Sequence, residues 1–352
     1  MHSLDPTFLD GIRLSPEHGA TLGTLGRFQG RQDLFRKQAP DALDVLREAA
    51  VIESAESSNR IEGVTAPRER IEALVLRPTA PRDRSEEEIA GYRDALNLIH
   101  ESAPEMGFTV NIILQLHGML YRYHAGSGGR WKMASNEIVE RNLDGTVRRV
   151  RFVPVQPVAT PHAMTDLADG YARARDAQRE PLVLTPLAIL DFLCIHPFAD
   201  GNGRMARLLS LLLLYHAGYE VGRYISLERI IEESKETYYE ALEASSEGWH
   251  NGTHDPLPWM TYFWGTLVRA YREFEERVGT VRSGRGSKTD QVEQAVARRT
   301  RAFGITEIEA ECPGVSREMV RHVLQQMREA GKLTIEGTGR GSKWVPLTRG
   351  EK

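Results

Sequence analysis

One stretch of the sequence combines residue types that could bind a phosphate and move a proton. It runs from His196 to Arg207 and reads HPFADGNGRMAR. A histidine titrates near neutral pH and can act as a general base, while Asp200 could hold a hard divalent cation. The Gly-Asn-Gly turn at 201–203 precedes a helix, and such a turn directs backbone N–H groups towards an anion.

Two arginines follow this turn at a spacing of three residues. Arg204 and Arg207 would project from one side of the new helix and could clamp further phosphate oxygens. Each residue taken alone fits a helix cap or a solvated charge in a tight loop between buried helices. A base, a metal ligand, an anion nest and two clamps within twelve residues favour a phosphate site. A Walker loop is excluded, because the sequence lacks G-x-x-x-x-G-K-[ST].

The elements that position this stretch are predicted to be mainly helical. Apolar residues recur at three- and four-residue intervals between Asp41 and Phe274. The clearest predicted helices are Ala42–Ile61, Glu86–Glu101, Val110–Tyr121, Pro161–Ala177, Pro186–Ile195 and Met205–Ala217. The exception is Glu137–Val153, which reads as a small β-hairpin with Asp144-Gly145 at its turn.

The composition changes again near the C-terminus. Ser283–Ser287 (SGRGS) is typical of a short flexible linker. Beyond it, the sequence predicts helices over 290–301, 306–312 and 316–330, followed by a β-ribbon over 333–347. Three helices and a ribbon in this order are the outline of a winged helix. The predicted domains are therefore an N-terminal helical region (1–100), a core (101–282) and a winged-helix-like domain (288–348).

The stretch His196–Arg207 resembles the signature of the Fic family, H-P-F-x-[DE]-G-N-G-R-x-x-R, at every specified position. The resemblance implies an all-helical Fic core with a nucleotide on the glycine turn. It also implies that His196 is the catalytic base and that Asp200 binds Mg²⁺. The implied ATP-binding residues are Asp200, Gly201, Asn202, Gly203, Arg204, Met205, Ala206 and Arg207.

In this family the histidine deprotonates a Ser, Thr or Tyr hydroxyl of a protein, which then attacks the α-phosphate of ATP. The resemblance thus implies a protein adenylyltransferase whose substrates are Mg-ATP and a target protein or the enzyme itself. Two alternatives stay open. One is removal of AMP from a modified protein, and the other is a DNA-binding regulator with an inactive Fic core.

An upstream segment resembles the inhibitory motif of the family, [S/T]-x-x-x-E-[G/N]. Here it reads SNRIEG, from Ser58 through Glu62 to Gly63, at the end of a predicted helix. The resemblance implies that Glu62 pairs with Arg207 and forces ATP into an unproductive pose. Without the family context, Glu62 would be a solvated glutamate before a C-cap glycine.

Two further segments resemble the target-docking flap and the adenine pocket of the family. The hairpin residues Asn136, Glu137, Ile138 and Val139 would hold a target segment by β-augmentation. Tyr238 and Tyr239 resemble the paired tyrosines beside adenine, where an aromatic ring can stack. Ser246 stands where relatives often place an asparagine.

The helix predicted over Ser316–Ala330 carries basic and amide side chains opposite an apolar face. This pattern fits either DNA binding or protein contact. The whole chain of 352 residues has a net charge of −4, which argues against a protein devoted to nucleic acid.

The remaining bulk features place the chain in the cytoplasm by default. No signal peptide is visible, and the longest apolar run, Leu208–Tyr215, is far shorter than the roughly 20 residues that span a bilayer. Cys194 and Cys312 are expected to be reduced core thiols. A homodimer is expected because helical proteins of this class often pair.

Overall fold

The computed structural model describes residues 3–38, 40–77, 79–124, 128–141, 146–282, 288–312, 314–337 and 342–347. These residues are predominantly helical. The α-helices are α1 (Pro6–Gly11), α2 (Pro16–Gln38), α3 (Pro40–Ile61), α4 (Arg68–Leu76), α5 (Arg84–Ser102), α6 (Val110–Leu120), α7 (Thr160–Asp176), α8 (Pro181–Ile195), α9 (Asn202–His216), α10 (Leu227–Glu233), α11 (Lys235–Ser246), α12 (Leu257–Arg282), α13 (Lys288–Ala297), α14 (Ile305–Glu311) and α15 (Arg317–Glu329). The strands are β1 (Ile138–Arg141), β2 (Val147–Phe152), β3 (Leu333–Glu336) and β4 (Lys343–Pro346).

The predicted fold class, a mainly α protein with a small hairpin, is confirmed. β1 and β2 form an antiparallel hairpin with Ile138 opposite Phe152 and Val139 opposite Val150. The predicted Asp-Gly turn and the predicted linker Ser283–Ser287 lie outside the described residues.

The chain divides into two compact units, Met1–Gln32 with Arg47–Tyr271, and Asp33–Leu46 with Arg272–Lys352. The core of the first unit is built around α8 and α9. α8 is apolar on all sides and almost wholly buried, as expected for a helix surrounded by others. Trp259 and Trp264 of α12 donate their indole N–H groups to the carbonyls of Pro186 and Leu182 at 2.8 and 2.7 Å. These bonds fix α8, which ends at the proposed catalytic histidine.

The second unit contains α13, α14, α15 and the antiparallel ribbon β3–β4 around a separate core. Val292, Phe303, Ile308 and Leu324 are buried in that core. The order of helices and strands agrees with the predicted order of elements. The winged-helix assignment and the predicted domain limits at residues 100, 282 and 288 remain predictions.

Candidate active site

A cavity of about 600 Å³ opens beside the loop that joins α8 to α9. Four elements contribute to its walls: the α8–α9 segment, the end of α3, the β1–β2 hairpin and α11. Predicted site residues that line it are Glu62, Asn136, Glu137, Ile138, Val139, His196, Asp200, Gly201, Asn202, Gly203, Arg207, Tyr238 and Tyr239. The structure therefore brings together most of the residues predicted from four separate segments of the sequence.

His196 is fixed in a conformation that leaves one ring nitrogen available. It ends α8 in the left-handed region, with φ of 50°. Its Nδ1 lies 3.2 Å from the carbonyl oxygen of Leu193. Because a carbonyl can only accept, Nδ1 carries the proton and Nε2 carries the lone pair. Burial lowers the pKa of His196 to about 4, so the ring is neutral at physiological pH.

Two side chains anchor the loop after His196 to the segment preceding the hairpin. Asn136 donates its amide N–H groups to the carbonyls of His196 and Phe198 at 3.2 and 2.7 Å. Lys132 donates to Asn136 Oδ1 at 2.8 Å and to the carbonyl of Ile195 at 3.0 Å. Burial lowers the pKa of Lys132 to about 8. Asn136, predicted to dock a target, thus also holds the backbone of the histidine in place.

The glycine turn depends on close contacts that exclude side chains. Gly201 has φ of +80°, and a β-carbon there would lie 2.9 Å from the Tyr121 hydroxyl. The Asn202 side chain accepts from Phe198 N and donates to Phe198 O, at 2.9 and 2.8 Å, which closes the loop. Asp200 Oδ1 accepts from Gly201 N at 2.7 Å. As first residues of α9, Asn202 and Gly203 present N–H groups that a helix leaves without intrahelical partners.

Arg207 lies between the predicted inhibitory motif and the glycine turn. Its Nε and Nη2 donate to the Oγ and the carbonyl of Ser58, both at 2.8 Å, and Nη2 also donates to Glu62 Oε1 at 2.8 Å. Its Nη1 is buried and has no hydrogen-bond partner among the described residues. Glu62 Oε1 occupies the space that a β-carbon on Gly203 would need. The carboxylate therefore lies directly against the first turn of α9.

The Arg204 side chain points away from the cavity. It is 1% exposed and pairs with Glu88 Oε2 at 2.5 Å, and it also donates to Asn59 at 3.2 Å and to Tyr121 at 2.8 Å. This guanidinium contacts α3, α5 and the end of α6, and its Nη2 also lies 3.7 Å from the Asp200 carboxylate. Arg204 thus joins the elements around the loop, and its phosphate contact remains a prediction.

Comparison with known protein families identifies the domain that contains this site. The profile of the Fic/DOC family matches residues 107–214, which include His196 and the start of α9. Residues 107–214 of the chain form a Fic domain.

Relatives and structural neighbours agree with this family. Over 199 residues, the chain is 25% identical to "Protein adenylyltransferase Fic" of Nematostella vectensis, covering 54% of this chain and 42% of that protein. Over 69 residues it is 33% identical to "Protein adenylyltransferase fic-1" of Caenorhabditis elegans, covering 20% and 14%. The chain thus spans less than half the length of these curated relatives.

A crystal structure of a Fic family protein from Desulfovibrio desulfuricans G20 superposes with a TM-score of 0.63 at 20% identity, covering 97% of this chain and 99% of that one. The Fic-1 structure (aa134–508) from C. elegans gives a TM-score of 0.58 at 20% identity, covering 74% of each chain. At these identities the likeness establishes the Fic fold alone.

Within the Fic domain, the remaining residues of the signature contribute to packing. Met205 and Ala206 are 0% and 1% exposed and face the interior of the first unit. Neither residue is among those that line the cavity, and their nucleotide contact remains a prediction. The helical period explains this placement, because positions between Gly203 and Arg207 turn away from the cavity.

The tyrosine pair lies on the wall formed by α11. Tyr238 is 3% exposed and packs edge-to-face against Tyr239 and Trp259, with ring centroids 5.1 and 5.6 Å apart. Tyr239 is more exposed than Tyr238. Ser246, two turns further along α11, also lines the cavity and donates to the carbonyl of Glu243 at 3.0 Å.

Sequence reasoning missed several residues that shape this Fic site. The roles of Glu88, Asn59 and Tyr121 around Arg204 depend on long-range contacts that no local spacing indicates. His117, on α6, is a further such residue. It stacks on Phe198 at 3.6 Å and contacts the carbonyl of Asp200 at 3.1 Å, so it fixes the loop.

Two other expectations concern the environment of the protein. No helix in the described part of the chain is long and apolar enough to cross a membrane. Cys194 and Cys312 are both free and buried, as expected. Homodimer formation and a cytoplasmic location remain predictions.

Proposed function

We propose that this Fic protein transfers AMP from Mg-ATP to a hydroxyl group of a protein, and that Glu62 restrains the reaction. The observation that carries the proposal is a single cavity that joins the free Nε2 side of His196, the glycine turn and the unpaired Nη1 of Arg207. A general base, an anion nest and a cation are the groups that nucleotidyl transfer requires.

The chemistry follows from the position of each group. Nε2 of His196 accepts the proton of the attacking hydroxyl, whose oxygen forms a bond to the α-phosphorus. The bond from that phosphorus to the bridging oxygen of the β-phosphate breaks, and pyrophosphate leaves with the bonding electrons. The N–H groups of Asn202 and Gly203 stabilise negative charge on phosphate oxygens, and Arg207 holds the end of the chain.

Asp200 fits a role in binding Mg²⁺ with the nucleotide. Its carboxylate is 63% exposed and lines the cavity. No group of three or more acidic, histidine or cysteine ligands occurs among the residues that the structure describes. Mg²⁺ commonly binds through one or two carboxylates, substrate phosphates and water, so one aspartate suffices. Such an ion supplies charge neutralisation for the departing pyrophosphate.

The restraint is a competition for Arg207. Glu62 accepts a hydrogen bond from Nη2 of Arg207 and fills the space beside Gly203, where a phosphate would approach the turn. A nucleotide phosphate and the Glu62 carboxylate carry the same charge sign and seek the same donors. Productive binding of ATP therefore requires that the carboxylate leave.

Transfer of label from α-labelled ATP tests the function. The Glu62→Gly variant is expected to label itself or a protein in cell extract more strongly than the unchanged chain. His196→Ala in the same background is expected to abolish labelling, because no base remains. Mass mapping of the product then identifies the modified hydroxyl. No labelling by Glu62→Gly, despite bound Mg-ATP, would refute the proposal.

A second reaction of the same site is AMP removal. It is favoured by the position of Glu62, whose carboxylate is 31% exposed and lines the cavity that contains His196. A carboxylate so placed could orient water towards a phosphodiester. If Glu62→Gly loses hydrolysis of an AMP-modified protein and gains no labelling, removal is the main activity.

We also propose that the second unit binds double-stranded DNA. The exposed face of α15 carries polar and basic side chains: Arg317, Arg321, His322, Gln325, Gln326 and Arg328. Between Lys288 and Lys352 the sequence has twelve basic and nine acidic residues, although the whole chain is acidic. This segregated positive charge and an amide-rich helix suit phosphate and base-edge contacts.

Fluorescence anisotropy with a labelled duplex of mixed sequence tests DNA binding. Affinity should fall steeply as salt rises, and Arg321→Ala should weaken it. Arg84→Ala, an exposed arginine of the first unit, is the matched control and should have no effect. Absence of salt-dependent binding together with self-association through α15 would instead identify a protein interface.

A further inference from the structure

Glu62, the proposed inhibitory residue, directly follows Ile61, the last residue of α3. Val64 N donates to Asn59 O at 2.9 Å and Gly63 N donates to Arg60 O at 3.0 Å. Gly63 has φ of +82°. These are the two bonds and the left-handed glycine of a Schellman motif, in which Glu62 is the C-cap. The motif leaves the carbonyl of Ile61 without a backbone donor.

The body of α3 is held by buried polar contacts that the Schellman motif does not involve. Ser54 donates to Glu228 at 2.7 Å, and Glu53 pairs with Arg229 at 3.1 Å. The Glu53, Ser54 and Glu228 side chains are at most 2% exposed. Withdrawing the whole helix would leave buried charges without partners, which is strongly unfavourable. Movement of the last turn alone breaks none of these contacts.

Lys235 supplies the donor that the last turn lacks. Its Nζ donates to the carbonyl of Ile61 at 2.7 Å and lies 5.9 Å from the ring centroid of Tyr239. Lys235 is the first residue of α11 and lines the same cavity as Glu62. A cation at the C-terminus of a helix also interacts favourably with the helix dipole.

We propose that Lys235 is a positioning residue that holds the last turn of α3 and thereby keeps Glu62 on Arg207. Release of the inhibition then occurs through residues 61–64, while the body of α3 stays in place. This inference rests on the proposed function, because it concerns the control of AMP transfer. It adds a residue of α11, outside both the signature and the inhibitory motif, to the machinery of restraint.

Activity in two backgrounds tests this role. Lys235→Met keeps most of the side-chain length and removes the charge, so it should raise AMP labelling about twofold to fivefold in the unchanged chain. Lys235→Arg should retain most of the restraint. In the Glu62→Gly background, Lys235→Met should have no effect, because the carboxylate that it positions is absent. Arg68→Met, which breaks an exposed pair with Glu72, is the matched control.

Amide hydrogen exchange gives a measurement that does not depend on catalysis. Lys235→Met should speed exchange of the Gly63 and Val64 amides, while amides in the middle of α3 keep their protection. Unchanged exchange at these two amides would overturn the proposal even if labelling changed. Equal loss of labelling by Lys235→Met in both backgrounds would also overturn it, since Lys235 would then bind substrate. If Glu62→Gly yields no labelling at all, the proposed function fails, while exchange still decides the role of Lys235.

Discussion

A change of Gly203 to alanine tests whether Glu62 occupies the phosphate position. Gly203 lies in the first turn of α9, and a β-carbon there would overlap Glu62 Oε1 and lie 3.3 Å from Arg207 Nη1. The overlapping atom is the end of a flexible side chain, so the carboxylate would be displaced while the helix stays intact.

Two free-energy contributions determine how much Gly203→Ala changes the stability of the protein. Alanine in place of a helical glycine stabilises by about 0.5–1 kcal/mol. Loss of the charge-assisted bond between Glu62 and Arg207 costs about 1.5–3 kcal/mol. Gly203→Ala should therefore destabilise the unchanged chain by about 0.5–2.5 kcal/mol. In the Glu62→Gly background the second term is absent, and the same change should stabilise by up to about 1 kcal/mol.

Urea unfolding of the two single variants, the double variant and the unchanged chain measures this coupling. Labelling with ATP adds a second readout, because the methyl group should abolish AMP transfer even without Glu62. Gly30→Ala, at a helical glycine with open space around it, is the control and should act equally in both backgrounds. Gly203→Ala effects that agree within about 0.5 kcal/mol between backgrounds would refute the contact.

Three further predictions concern the residues around the loop. Glu88→Gln should lower the melting temperature by roughly 10 °C, since it removes the buried carboxylate that pairs with the buried Arg204. Calorimetry checks this. Lys132→Met should reduce labelling by the Glu62→Gly variant about tenfold with unchanged Mg-ATP affinity, because it loosens the backbone of His196. The Glu62→Gly variant with Lys132 intact should label at a constant rate from neutral pH to about pH 5. Its rate should fall as pH approaches 4, where His196 becomes protonated. A rate that already declines near the ordinary pKa of 6.5 would contradict this.

The free energy of unfolding should decrease as the pH falls, because of the same histidine. The pKa of His196 is lower in the folded chain than its ordinary value of 6.5, so the unfolded chain binds the proton first as pH falls. The stability that the neutral His196 contributes is fully present above pH 6.5 and is lost progressively as the pH falls towards 4. His117, whose pKa burial also lowers to about 4, adds to the same decline.

The part of the site that could be predicted from the sequence is the part built by local geometry. A left-handed residue, a glycine turn and a helix start lie within twelve residues of one another, so their order in the sequence is their order in space. The end of α3 is similar, because Gly63 marks a helix end in any context. The structure places Glu62 against Arg207, as the resemblance to the family implied, although 145 residues separate them.

What could not be predicted depends on partners distant in the sequence. The spacing of Arg204 and Arg207 places both on one side of α9, but it cannot indicate that Glu88 and Tyr121 draw Arg204 inward. α2 was also missed, because it contains four glycines and little periodicity. It is stabilised by tertiary contacts, in which Gln29 and Gln32 donate to the carbonyls of Ala217 and Gly218.

The contacts of Arg207 explain why a single carboxylate can act as a switch. Ser58 accepts from Nε and Nη2 of the guanidinium through its hydroxyl and its carbonyl, and neither bond involves Glu62. Removal of the carboxylate therefore leaves the arginine oriented, with Nη1 and part of Nη2 free for a phosphate. Because the cation is already in place, the gain in nucleotide affinity equals the cost of displacing Glu62 and includes little reorganisation. A variant that frees the arginine itself, Ser58→Ala, should consequently lose Mg-ATP affinity in the Glu62→Gly background.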